Sequence, residues 1–113
     1  MRYALLVCGE ENAVLSPEGQ RERSAAFTAF QDEMEARGVL LGRERLRPAT
    51  SATTVQVRDG DLVIADGPFA ETKEQIAGLY LVDCRDLDEA IEVAAKIPAA
   101  QYGTIEVRPV WEM

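Results

Sequence analysis

Two carboxylates and an ammonium group fall within one short stretch, at Asp66, Glu71 and Lys73, around Gly67-Pro68-Phe69. An aspartate ahead of a turn ordinarily accepts a hydrogen bond from the N–H two residues on. Here that residue is Pro68, which has no N–H to give. The Asp66 carboxylate therefore either reaches further, to Phe69 or beyond, as a long local cap, or is left free. A free carboxylate beside Phe69, partly desolvated, would have a raised pKa suited to acid–base work. On that reading Asp66 and Glu71 are the catalytic candidates, and Phe69 and Lys73 line the ligand. The plainer reading of Glu71 and Lys73 is solvation or local ion pairing. Thr72 with Gln75 also satisfies a capping-box pattern, which predicts a short charged helical piece after the turn.

The remaining candidates are more dispersed. Arg43, Arg45 and Arg47 alternate onto one face of a β-prone segment, a basic stripe for an anionic ligand or a charged edge that discourages unwanted pairing. Arg43 stands for that stripe among the ligand-binding candidates. Tyr3 and Tyr80 fall on apolar strand segments and either point hydroxyls into a pocket or serve as core residues with one satisfied hydrogen bond. The chain has no histidine, and Cys8 and Cys84 are far apart, so no metal site is expected. Cys8 has no neighbouring general base in sequence and reads as a structural thiol. Asp83, Asp86 and Asp88 lack the spacing of a calcium loop, and neither a phosphate-binding glycine loop nor a G-x-S-x-G elbow is present. No cofactor is implied.

Composition narrows the partners. A chain of 113 residues with 47% hydrophobic and 28% charged residues is read as one soluble domain spanning 1–113. Its formal charge of −8 opposes a phosphate-tracking nucleic-acid surface. The apolar run after Met1 is too short for a signal peptide and is interrupted by Glu10 and Glu11. No stretch approaches the ~18 apolar residues of a membrane span. A cytoplasmic protein is expected, with neither nucleic acid nor membrane as partner.

These residues must be positioned by a regular succession of elements. Residues 2–8 predict a strand apolar on both faces, and residues 9–15 a polar connection. Ser16 and Pro17 open a helix that carries Phe27, Phe30 and Met34 and stops before Gly38. Residues 39–46 predict a strand. Asp59-Gly60 predicts a type I′ hairpin over residues 53–66, with Arg58 opposite Asp61, Val57 opposite Leu62 and Val55 opposite Ile64. Residues 79–83 predict another strand apolar on both faces. Asp86 and Glu89 open a second helix, with Leu87, Ala90, Ile91 and Ala94 as its stripe and Pro98 as its stop. Residues 104–111 predict a last strand, with Ile105, Val107, Pro109 and Trp111 on one face. Without the hairpin the order is βαββαβ, the ferredoxin-like α+β arrangement. Two helices cover one face of such a sheet. The doubly apolar central strands then call for a second cover: a homodimer packed sheet to sheet, or the hairpin folded back within one chain.

The run Asp66-Gly67-Pro68-Phe69-Ala70-Glu71-Thr72-Lys73-Glu74 resembles the signature of the DGPF branch of the YCII-related protein family. The resemblance continues through Gly78-Leu79-Tyr80-Leu81-Val82, Asp88-Glu89-Ala90 and Glu106-Val107-Arg108-Pro109, and with the opening strand and Gly38-Val39-Leu40 covers nearly the whole chain. It implies a ferredoxin-like fold of the dimeric α+β barrel type. Some relatives are thought to be enzymes using a His–Asp pair, chemistry that a histidine-free chain cannot inherit. Others resemble accessory proteins of extracytoplasmic-function sigma factors. Two functions follow as expectations. One is a domain binding a small polar or anionic ligand, with carboxylate acid–base chemistry of the lyase or isomerase kind. The other is a non-catalytic dimeric module serving a protein partner.

Overall fold

The computed structural model describes residues 1–11 and 14–112. The polar connection expected over residues 9–15 takes in Asn12 and Ala13, which lie outside the described residues. In chain order the elements are β1 (Arg2–Gly9), α1 (Pro17–Ala36), β2 (Leu40–Arg45), β3 (Thr53–Arg58), β4 (Asp61–Asp66), β5 (Gln75–Asp83), α2 (Leu87–Lys96) and β6 (Thr104–Pro109). Short 3₁₀ turns lie at Ala49–Ser51 and Pro98–Gln101. The main sheet has the order β2-β5-β1-β6 with every neighbouring pair antiparallel. This is the ferredoxin-like arrangement, with β1 and β5 central and the β3–β4 hairpin inserted as a separate two-stranded sheet. Among the described residues no helix is long and apolar enough to cross a membrane.

Local chemistry sets the helix ends. Ser16 Oγ accepts from the Gly19 N–H at 3.0 Å, with Pro17 at the first helical position. At the other end of α1 the Gly38 N–H donates to Glu35 O and the Val39 N–H to Met34 O. That is the Schellman pair of bonds, and it turns the chain sharply into β2. Asp86 Oδ1 accepts from the Glu89 N–H at 2.9 Å, and Glu89 answers by accepting from the Arg85 N–H at 2.9 Å. The expected reciprocal box is present, with its return bond one residue earlier than the standard pattern.

One face of the sheet is covered by both helices. Tyr3, Leu5 and Val7 of β1 and Tyr80 and Val82 of β5 pack there with Phe30 and Met34 of α1 and Ala90, Val93 and Ala94 of α2. The apolar stripe of α2 is rotated from the one expected. Leu87 and Ile91 are 49% and 51% exposed, and Val93 and Ile97 are fully buried in their place. Ala90, Val93, Ala94 and Ile97 form an i, i+3, i+4, i+7 face whose two alanines let the helix lie close to the sheet.

The opposite face carries Ala4, Leu6 and Cys8 of β1 and Leu79 and Leu81 of β5, all half-buried by strand neighbours. The hairpin does not fold back to bury its own apolar face there. Asp59 and Gly60 have φ of 52° and 81°, and every predicted pair forms, Arg58↔Asp61, Val57↔Leu62 and Val55↔Ile64. Yet every residue of β4 is exposed. The radius of gyration is 16.1 Å, against ~13 Å for a compact domain of this length. The hairpin stands off as an arm.

Charged pairs lace the outer surface of the helices. Lys96 Nζ lies 2.8 Å from Glu33 Oε2, and Arg37 reaches Glu92 at 3.1 Å and Glu33 at 3.6 Å. The hydrogen bond from Lys96, above all, holds the Glu33 carboxyl below its ordinary value of 4.5. A carboxylate depressed by folding adds stability that is complete above the unfolded-state value and vanishes as pH falls through the folded one. Thermal unfolding followed from neutral pH downward should therefore show a loss beginning near pH 4.5. Glu33→Gln should make that acid limb shallower, and an unchanged limb would remove Glu33 from the account.

Candidate functional site

At one end of the uncovered sheet face lies an open cleft of about 540 Å³, lined by Cys8, Glu10, Thr72, Lys73, Glu74, Thr104 and Glu106. Strand alternation puts three of these there. Cys8 pairs with Thr104 and Leu6 with Glu106, so the side chains of β6 that do not enter the core, Thr104 and Glu106, share a face with Cys8. Glu10 follows β1, and residues 67–74 bring Thr72, Lys73 and Glu74 in from the foot of the hairpin. Lys73 Nζ lies 3.4 Å from Glu10 Oε1, the Thr104 hydroxyl donates to Glu74 Oε2 at 3.2 Å, and Glu106 is paired to Arg108 at 2.6 Å. Burial, then the charges of Glu106 and Glu74, push the Cys8 thiol up. A thiol held protonated at neutral pH is a poor nucleophile, in keeping with the structural reading of Cys8.

The expected helical piece after the turn is absent. Residues 70–74 form an irregular loop instead. The Gln75 side-chain amide donates to Ala70 O at 2.9 Å and to Thr72 O at 3.0 Å, while the Thr72 hydroxyl donates to Glu74 O. The same Thr-x-x-Gln residues that suggested a cap are used as a staple across the loop. The turn before it rests on Gly67, whose N–H donates to Ala52 O at 2.7 Å and closes the hairpin. Its φ of 100° is one that side-chain-bearing residues rarely adopt.

Asp66 ends β4 opposite Thr53 and is exposed. Among the described residues its carboxylate accepts no hydrogen bond, so the long cap to Phe69 does not form. Glu71 lies close by, its Oε1 3.8 Å from where a Cβ on Gly67 would stand. Phe69 is 85% exposed and shields neither carboxylate within one chain. Asp66, Phe69, Glu71 and Lys73 are thus gathered on one loop, with only Lys73 lining the cleft itself.

Tyr3, Arg43 and Tyr80 belong to the other side of the sheet. Tyr3 is 2% exposed, its hydroxyl 3.7 Å from Met1 Sδ, and burial pushes its phenol up. The Tyr80 hydroxyl accepts from Gln31 Nε2 at 3.0 Å, and its ring meets Phe30 edge to face at 5.2 Å. Arg43, opposite Tyr80 on the edge strand β2, pairs with Glu35 of α1 at 3.1 Å. The sheet separates these three from the cleft. Glu10, Glu74, Thr104 and Glu106 were not singled out from the sequence. The signal available was strand alternation against Ile105 and Val107, but only the β1–β6 register says that Thr104 and Glu106 meet Cys8.

The family model of the YCII-related domain matches residues 1–113. The chain belongs to the YCII-related family. It is 39% identical over 114 residues to an uncharacterised protein of Rhizobium meliloti (strain 1021), an alignment that covers 97% of this chain and 92% of that protein. This YCII-related domain has no histidine. The carboxylates lining its cleft are Glu10, Glu74 and Glu106, while Asp66 and Glu71, beside it, have no ion-pair partner among the described residues.

Proposed function

We propose that this YCII-related domain, as a homodimer, binds a small polar molecule that reaches from the cleft at the end of its uncovered sheet face onto the adjoining loop, with Asp66 and Glu71 there as its acid–base pair. The observation that carries the reading is Lys73. Its ammonium lines the cleft at 83% exposure, held among the described residues by one solvent-screened contact to Glu10. Two threonines beside it, Thr72 and Thr104, add hydroxyls that suit a polar ligand, and Lys73 suits a single anionic group on it. The acidic neighbours Glu10, Glu74 and Glu106 disfavour a multiply charged anion. The homodimer is supported by the half-buried Leu6, Leu79 and Leu81 on the uncovered face. Covering each side chain of this kind is worth about 1 kcal/mol.

A thermal-shift screen against small polar metabolites, followed by calorimetry on any ligand found, tests the reading. A ligand present at ~100 times its Kd should stabilise the protein by about 2.7 kcal/mol. Lys73→Met should weaken binding at least ~10-fold. Asp66→Asn should keep binding while abolishing turnover of that ligand. A ligand bound equally well by wild type and Lys73→Met would overturn the assignment of the cleft. A second reading, a non-catalytic dimeric module for a protein partner, is favoured by the exposed Phe69 and by the bare hairpin. Binding of a ligand that the wild type does not turn over would move the balance towards it.

A further inference from the structure

Side chains on the β3–β4 hairpin alternate between two faces, and one of them is an uninterrupted apolar strip. Val55, Val57, Leu62 and Ile64 share it through the pairs Val55↔Ile64 and Val57↔Leu62, and they are 60%, 61%, 63% and 60% exposed respectively. A two-stranded ribbon that buries nothing is marginal in water. The next pair on the same face is Thr53↔Asp66. The Asp66 carboxylate, without a partner among the described residues, therefore stands at the foot of the strip, and a body lying along the strip reaches it too. Between those ends the strip has no charged side chain, the composition of an interface centre. Arg58, Asp59 and Asp61 close its outer tip with both signs of charge.

Area decides what lies on it. Six residues per strand at ~3.3 Å each and two strands ~4.8 Å apart make a face of about 20 by 10 Å. That is roughly a quarter of the ~800 Å² per partner that a standard interface buries. The hairpin cannot hold a partner alone. The uncovered sheet face with Leu6, Leu79 and Leu81 also lacks a cover, and residues 67–74 run from the foot of the strip to the cleft on that face. A second copy of this chain presents both surfaces, and a two-fold interface uses the same patches on each copy.

We propose that the apolar hairpin face docks on a second copy of this chain, and that docking encloses Asp66, so that the Asp66 site is complete only in the dimer. This rests on the homodimer in the function proposed above. It adds that the arm, and not the sheet face alone, holds the pair together.

The test combines light scattering over the micromolar range with carbodiimide labelling of carboxylates read by mass spectrometry. Wild type should be dimeric, with Asp66 labelled at least ~10-fold more slowly than Asp59 and Asp61 at the hairpin tip. Val57→Glu with Leu62→Glu should weaken dimerisation at least ~100-fold and bring Asp66 to the labelling rate of Asp59. Val57→Thr with Leu62→Thr keeps strand-favouring residues and should show the same direction if the charged variant fails to fold. A hairpin variant that dimerises like wild type overturns the proposal, as does rapid labelling of Asp66 in the wild-type dimer. Leu6→Lys on the sheet face separates the two ideas. If it alone dissociates the dimer, the docking arm fails and the homodimer stands. A monomeric wild type removes both.

Discussion

Replacing Gly103 by alanine is expected to destabilise the protein by about 2–3 kcal/mol, the cost of forcing atoms into a packed site that cannot yield. A Cβ at this position would run into the carbonyl oxygen of Cys8 and stand 3.2 Å from Ala99 O and 3.4 Å from Gly9 Cα. All three are backbone atoms, so no side chain can swing aside. The Gly103 N–H also donates to Ala99 O at 2.6 Å, which ties the second 3₁₀ turn to the start of β6. A domain of this size should lose on the order of 10 °C of Tm. Because Cys8 and Thr104 line the cleft, ligand affinity should fall as well. Gly9→Ala, where a Cβ meets nothing within 4 Å, is the matched control and should be close to neutral. Equal Tm values for the two variants would show that the β1–β6 end is softer than described.

Phe30→Ala should cost more, about 3–5 kcal/mol, since it removes a buried ring and leaves a cavity. Phe30 is 5% exposed and meets the Tyr80 ring edge to face, so the loss includes an aromatic pair. Tyr80→Phe keeps that pair and removes only the hydroxyl that accepts from Gln31, a change of about 1 kcal/mol. The contrast tests the place of Tyr80. If the tyrosine belongs to the core, Tyr80→Phe leaves ligand binding unchanged. A large loss of binding with intact stability would bring Tyr80 back to the site.

Local rules were enough to read much of this fold from its residues. Asp59-Gly60 sets the whole hairpin register, because a two-residue turn leaves a single pairing that keeps Val55, Val57, Leu62 and Ile64 on one face. Ser16, Asp86 and Gly38 end their helices by bonds that involve only near neighbours. Thr72 and Gln75 were misread for the same reason. The capping-box pattern is local, but whether a helix forms after it depends on an apolar stripe that could pack, and residues 70–74 have none. The stripe of α2 was misjudged where tertiary contact decides, since Leu87 and Val93 both satisfy a helical period and only the sheet selects between them. Of the site, the loop with Asp66, Glu71 and Lys73 was visible in the sequence. The separation of Tyr3, Arg43 and Tyr80 from it was not, because alternation divides a strand's residues between two faces without saying which face the helices cover. The acidic wall of the cleft needed the β1–β6 register, which has no local signal.

The loop of residues 70–74 is held by one kind of bond, while its cation is held by another. Gln75 grips Ala70 and Thr72 through neutral amide and carbonyl groups, which neither salt nor a change of pH can switch off. Among the described residues Lys73 is held to Glu10 by charge and in the open, where water and added salt weaken an exposed pair. Ionic strength can therefore loosen the lysine without loosening the loop that presents it. An anion arriving at the cleft would exchange one partner of Lys73 for another and meet a backbone already in shape, with almost no ordering entropy left to lose.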